Sequence, residues 1–108
     1  SSRVFITGLG VVSSIGLGRK EFFEGLAEGR SGISPVESFD ASSLGRNYAG
    51  EVKNFRARDH LTHLEARRMG RCSAMALASA RMAVEDSGVQ PVHLKGPRTA
   101  VVIGTTMG

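Results

Sequence analysis

The sequence predicts an α/β fold in which helices cover both faces of a sheet. Residues 4–7 and 100–103 are short apolar runs with the composition of buried strands. They are apolar at successive rather than alternate positions, which is typical of strands with two buried faces. Two strands cannot form such a sheet by themselves. We therefore expect the folding unit to continue beyond residue 108.

A first helix is predicted over residues 19–28. Phe22, Phe23 and Leu26 lie on one face at helical spacing, and Gly29 follows as a stop signal. The segment after it lacks sustained periodicity. We expect loops and short strands there, up to about residue 59.

A longer helix is predicted over residues 64–87, with Gly88 as its cap. Small or apolar side chains recur there at steps of three or four residues. The predicted buried stripe consists of Met69, Cys72, Ala76, Ala80 and Ala83. Its many alanines predict a helix that packs closely on several sides.

Composition and charge narrow the function classes. With 41% hydrophobic residues the chain can bury a modest core, and its net charge of +4 is a mild excess that a solvated basic face explains. Aromatic residues are few and Trp is absent, which disfavours nucleic-acid binding by base stacking. No stretch is long and apolar enough to span a membrane, and the first residues lack the pattern of a secretory signal. A cytoplasmic location is therefore expected.

The glycine-rich segment after the first apolar run invites a dinucleotide-binding interpretation. Gly8 and Gly10 are followed by Ser13, where the dinucleotide fingerprint requires a third glycine. We therefore interpret the segment as a turn, or as a place where another part of the backbone approaches closely.

Two further patterns have ordinary structural explanations. His60 and His63 share one turn, but the third histidine, His93, stands in a polar loop, so a zinc site is disfavoured. Cys72 is the only cysteine and could be considered as a nucleophile. Because it falls within the apolar stripe of the long helix, we interpret it as a small core residue.

Arg67, Arg68 and Arg71 form a basic cluster near the start of the long predicted helix, on one side of it. Clustered guanidinium groups can hold carboxylates or a phosphate through paired hydrogen bonds. The cluster is therefore a candidate docking patch for an acidic protein that carries a phosphorylated arm. Taken without any resemblance, a solvated face or ion pairs within the chain is the favoured explanation.

Four segments in order resemble the amino-terminal region of β-ketoacyl-acyl carrier protein synthases of the elongating type. They are residues 4–16, residues 29–33 with Phe39-Asp40, residues 67–71 leading into 76–78 and 85–89, and residues 100–108. The resemblance implies a thiolase-like α-β-α-β-α layered fold. Residues 1–108 would then be an incomplete amino-terminal part of the ketosynthase domain, which is usually found as a homodimer.

The resemblance also implies an activity. Members join an acyl thioester to malonyl-acyl carrier protein in a decarboxylative condensation, in fatty-acid or polyketide biosynthesis. The catalytic cysteine and two histidines are expected downstream of Gly108, so no catalytic residue is expected in this chain, and no cofactor or metal is expected. The implied partner is acyl carrier protein with phosphopantetheine-linked groups. Arg67 and Arg68 match carrier-docking positions, and Met107 matches a position in the acyl pocket at the dimer interface.

The sequence departs from the family pattern near the docking positions. Many members have Asp where this chain has Gly70, and a larger side chain where it has Cys72. His63 and Leu64 stand where elongating synthases often have basic residues, which leaves Arg67 and Arg68 as the matching pair.

The alternative to an active synthase is a non-catalytic chain-length factor that forms a heterodimer with an active synthase. An isolated module that binds acyl carrier protein is a third interpretation.

Overall fold

The computed structural model describes residues 2–107. The chain divides into two compact units. We call Val11–Phe55 the hairpin unit, and Ser1–Gly10 together with Arg56–Gly108 the helical unit.

The hairpin unit begins with two antiparallel strands, β1 (Val12–Ser13) and β2 (Gly16–Leu17). Ser13 closes the turn between them: its Oγ donates to the Gly16 carbonyl (2.8 Å) and accepts from the Gly16 N–H (3.2 Å). The hairpin contains the turn that the sequence predicted in this glycine-rich segment. Val12 pairs with Leu17 and Ser13 pairs with Gly16, and Ser14 and Ile15 form the turn between them.

Helix α1 (Gly18–Glu28) follows β2 directly. It confirms the predicted helix, and Gly29 ends it in the left-handed conformation (φ 70°). The predicted apolar face is only partly correct, since Gly25 is buried and Phe22 half-buried while Phe23 and Leu26 are exposed. The carbonyl oxygen of Ile15 lies 3.1 Å from where a Cβ on Gly25 would stand, so the hairpin packs on the helix at its smallest residue.

The rest of the hairpin unit contains short strands and loops, as predicted. Strands β3 (Ser34–Pro35) and β4 (Tyr48–Ala49) are antiparallel. The Val36 N–H extends the pairing through a 2.7 Å bond to the Asn47 carbonyl. The Glu51 carboxylate accepts the N–H groups of the adjacent residues Glu37 and Ser38 (2.8 and 3.2 Å).

The helical unit contains a 3₁₀ turn (Ala57–Asp59), helix α2 (His63–Arg68), helix α3 (Arg71–Ser87) and a second 3₁₀ turn (Pro91–Leu94). The prediction of one continuous helix over residues 64–87 is therefore wrong. Met69 and Gly70 are both extended and separate α2 from α3. Glycine disfavours a helix interior by about 1 kcal/mol relative to alanine, so a break at Gly70 is inexpensive.

The buried face of α3 differs from the predicted stripe. Ala74 and Ala78 are buried, whereas Cys72, Ala76 and Ala80 are exposed. The small residues of α3 are distributed around its circumference, so the sequence pattern does not single out one face for burial. The predicted cap is confirmed, because Gly88 is left-handed (φ 75°).

The prediction of strands at residues 4–7 and 100–103 is wrong for this structure. Neither segment is paired with another strand within residues 2–107. Val4 and Val102 are 93% and 92% exposed. A strand requires a neighbour that accepts and donates its backbone hydrogen bonds, and extended apolar sequence does not supply one.

The glycines that follow the first of these segments do make the close approach that the sequence predicted. A Cβ on Gly10 would lie 2.8 Å from the Ala83 nitrogen of α3, and Gly8 lies similarly against the same helix. Ser79 Oγ donates to the Gly10 carbonyl (2.8 Å), and the Leu9 N–H donates to Asp86 (3.0 Å).

Candidate functional site

The candidate site is the short helix α2, which carries Arg67 and Arg68 in its last turn. It starts with a capping box: the Glu65 N–H donates to Thr62 Oγ1 (3.2 Å), and the Thr62 N–H donates to Glu65 Oε1 (2.9 Å). These bonds satisfy backbone donors that the first turn of a helix leaves unpaired. Cations in the last turn face the negative end of the helix dipole, which stabilises them there.

A bidentate ion pair connects α2 to α3. Arg81 Nη1 and Nη2 donate to the two carboxylate oxygens of Glu65, at 2.8 and 2.7 Å. Arg81 Nη1 also donates to the His60 carbonyl at 3.3 Å. We call these three bonds the Glu65–Arg81 clamp. Paired, charge-assisted bonds of this kind fix geometry better than a single contact.

The clamp shifts the pKa of both partners in the direction that favours their charged forms. The two Arg81 bonds, followed by the bond from the Thr62 N–H, lower the pKa of Glu65 from 4.5 to about 2. The bonds to Glu65 raise the pKa of Arg81. Because the carboxyl pKa is lower in the folded chain, the pair stabilises the fold above about pH 4.5 and loses this effect as the pH falls towards 2. The side chains of Arg81 and Glu65 are 45% and 28% exposed, so solvent screens the attraction.

Arg67 and Arg68 are exposed, and neither forms an ion pair with an acidic side chain within residues 2–107. The interpretation of these two residues as members of internal ion pairs is therefore wrong. The predicted placement of Arg71 beside them on one helix is also wrong, because Arg71 begins α3 beyond the extended Met69-Gly70 joint. Both guanidinium groups are therefore exposed, as either a solvated face or a docking patch would require.

The other candidate residues are placed differently. Cys72 is exposed on α3, so its interpretation as a core residue is wrong. Met107 is 98% exposed, and the structure does not enclose it in a pocket. No group of three potential metal ligands is found in the part of the chain from residue 2 to residue 107.

The hairpin unit contains a polar cleft of about 340 Å³. Arg30 lines it, but its guanidinium donates to the Glu28 carboxylate (2.8 Å) and to the Ile15 carbonyl (2.9 Å). The Arg30 guanidinium is therefore already paired with groups of the hairpin unit itself.

Sequence reasoning missed the Glu65–Arg81 clamp. The spacing of Thr62 and Glu65 is the signature of a capping box, and it was available in the sequence. Arg81 lies sixteen residues beyond Glu65. No helical periodicity pairs residues that far apart, so only the folded backbone reveals the contact.

None of the helices within residues 2–107 has the length and apolar character needed to cross a bilayer.

Residues 1–108 match the family model described as "Beta-ketoacyl synthase, N-terminal domain". The chain therefore belongs to the β-ketoacyl synthase family, as the sequence predicted. It is 39% identical over 106 residues to the 3-oxoacyl-[acyl-carrier-protein] synthase 2 of Synechocystis sp., covering 98% of this chain and 26% of that protein. It is 37% identical over 108 residues to the enzyme of the same name from Staphylococcus aureus (strain COL), covering 100% of this chain and 26% of the relative.

A chloroplast relative and a solved structure agree with this assignment. The 3-oxoacyl-[acyl-carrier-protein] synthase I of Hordeum vulgare is 33% identical over 111 residues. The match covers 98% of this chain and 24% of the length of that protein. The structure entitled "The ishigamide ketosynthase/chain length factor" is 44% identical with a TM-score of 0.75, covering 82% of this chain and 22% of the other. The chain thus spans about a quarter of the length of these curated relatives.

Proposed function

We propose that this chain is the amino-terminal part of a β-ketoacyl synthase with the thiolase-like α-β-α-β-α layered fold. The match of residues 1–108 to the amino-terminal domain model of that family carries the proposal. Three relatives with the name 3-oxoacyl-[acyl-carrier-protein] synthase support it. As in the sequence-based expectation, the whole protein would be a cytoplasmic homodimer.

The proposed reaction is a decarboxylative condensation in two stages. A cysteine thiolate takes the acyl group from its carrier thioester and releases the carrier thiol. Malonyl on a second carrier then loses carbon dioxide, and the resulting carbanion attacks the acyl-cysteine carbonyl. The new carbon–carbon bond forms as the cysteine sulfur leaves. We place the thiolate downstream of Gly108, and Cys72 has no role in this reaction.

The proposed contribution of this chain is recognition of the carrier protein by α2. Arg67 and Arg68 are exposed and form no ion pair within residues 2–107, so both are available to an acidic surface. Guanidinium groups match carboxylates in geometry and are weakly hydrated, which suits them to protein interfaces. Each exposed pair is weak and salt-sensitive, so docking relies on several together.

Kinetics of the full-length protein that contains this chain test the docking role. Combining Arg67→Glu with Arg68→Glu should raise the KM for carrier-linked substrate about tenfold more than the KM for a small thioester mimic. Arg46→Glu combined with Arg98→Glu is the matched control, because these exposed arginines lie outside α2 and the net charge changes equally. Equal losses on both substrates, or an equal effect of the control, would refute docking through α2.

The second candidate function is a non-catalytic chain-length factor, which has partial support from the 44% identity to a structure whose title joins a ketosynthase and a chain length factor. A synthase has cysteine at the nucleophile position, and the factor has another residue there. Mass spectrometry of the full-length protein after incubation with acyl-carrier thioester separates the two. A stable acyl adduct on a downstream cysteine supports the synthase, and its absence together with a requirement for a second ketosynthase-like subunit supports the factor.

A further inference from the structure

We propose that the Glu65–Arg81 clamp is a positioning device for carrier docking, which holds α2 in place and keeps Arg68 available to the partner. This inference rests on the proposed docking function of Arg67 and Arg68. Glu65 and Arg81 would act through α2 and would not themselves contact the carrier.

Helix α2 needs such a device because it is short and weakly connected. Its six residues, His63–Arg68, are far fewer than the roughly 12 to 15 that an isolated helix needs to be even marginally stable in water. Met69 and Gly70 follow in extended conformations, and Gly70 caps α3 without a side-chain hydrogen bond. The direction of α2 is therefore not fixed by continuation into α3.

The clamp supplies the missing connection at the opposite end of α2. Glu65 lies in the first turn, and Arg81 lies in the interior of the 17-residue helix α3. The third bond, to the His60 carbonyl, holds the segment that leads into α2. Leu61, between that carbonyl and the capping box, is 6% exposed. Arg81 thus holds both the entry to α2 and its first turn against one long helix.

The clamp also determines which cation Glu65 binds. Arg68 lies three residues after Glu65 in α2, a spacing at which opposite charges on a helix attract each other. Arg81 occupies both carboxylate oxygens, however, and Arg68 forms no ion pair within residues 2–107. Without Arg81, the Glu65 carboxylate would keep only the bond from the Thr62 N–H, and it would compete with an acidic partner for Arg68.

Two substitutions break the clamp, and Glu65→Gln separates positioning from simple charge. In the full-length protein, Arg81→Gln and Glu65→Gln should each raise the KM for carrier-linked substrate about two- to fivefold, the range expected for one exposed ion pair. The turnover number and the kinetics with a small thioester mimic should stay close to those of the parent. Glu65→Gln removes a negative charge beside the arginines, so electrostatic attraction alone would lower this KM. A rise therefore indicates lost positioning.

Further variants complete the test. Arg81→Lys keeps the charge but cannot form the bidentate pair. Its KM for carrier-linked substrate should therefore lie between those of the parent and of Arg81→Gln. If Arg67→Glu with Arg68→Glu raises the KM while Glu65→Gln lowers it or leaves it unchanged, docking stands and the clamp proposal is overturned. If the double arginine variant has no specific effect, the docking function fails and the clamp proposal fails with it. If Glu65→Gln impairs the kinetics with carrier-linked substrate and with the small thioester mimic equally, the ion pair stabilises the fold only and the clamp proposal is overturned.

Discussion

The two apolar segments of the helical unit have similar composition but different surroundings. Residues 4–10 end in glycines whose backbone lies against α3, with bonds from Ser79 Oγ and to Asp86. Residues 101–103 are exposed, and a Cβ added to Gly104 would meet no atom within 4 Å. Yet Val4, near the start of the anchored segment, is as exposed as Val102.

The comparison of the two segments shows that a backbone can be held against a helix while the side chains beside it stay exposed. A glycine contact fixes the course of the backbone, because only a residue without Cβ lets two main chains approach so closely. It does not cover the side chains that precede it. These require apolar neighbours on both faces, and residues 2–107 do not provide them for either segment.

The largest expected effect is on cooperativity of folding. We expect the isolated 108-residue chain to unfold without a sharp thermal transition and to bind a dye that recognises exposed apolar surface, because the valines and isoleucines of both segments are uncovered. Calorimetry and dye fluorescence, compared with the full-length protein, test this. A sharp two-state transition of the monomeric chain would contradict it.

Next in size is the effect of filling the glycine contact. Gly10→Ala in the full-length protein should destabilise it by about 3 kcal/mol, since the new Cβ would overlap the backbone of α3 at Ser79 and Ala83. Gly45→Ala is the matched control, because its Cβ would meet no atom within 4 Å, and its effect should stay within about 0.5 kcal/mol. Urea denaturation measures both. Equal urea midpoints for Gly10→Ala and Gly45→Ala would show that the full-length protein does not retain the close approach of Gly10 to α3.

The smallest expected effect concerns Met107, which follows the second segment. We propose that the rest of the protein covers this exposed side chain and that it closes the acyl pocket, where a flexible thioether can block the pocket floor or move aside. Met107→Gly should lengthen the accepted acyl chain and Met107→Phe should shorten it. A change of about one methylene in pocket size alters discrimination by about 1 to 3 kcal/mol. Competition among acyl primers of graded length measures this, and an unchanged profile in both variants would leave Met107 as packing alone.

Local signals in the sequence determined much of the secondary structure. The left-handed glycines Gly29 and Gly88 end α1 and α3 as expected, because their conformation requires no distant partner. The family was also evident from ordered motifs, which residues 1–108 retain along their whole length. In both cases the information lies in residues that are close together along the chain or in fixed order.

Only the tertiary structure decided which faces are buried and which charges pair. Cys72 and Ala74 are two residues apart on an alanine-rich helix, yet one is exposed and the other buried, because the surrounding chain selects the face. Glu65 pairs with Arg81 rather than with Arg68, its neighbour on the same helix, because the backbone breaks at Gly70 and α3 presents Arg81 to the first turn of α2. Burial and long-range ion pairs depend on how elements meet in space, which neither periodicity nor composition specifies.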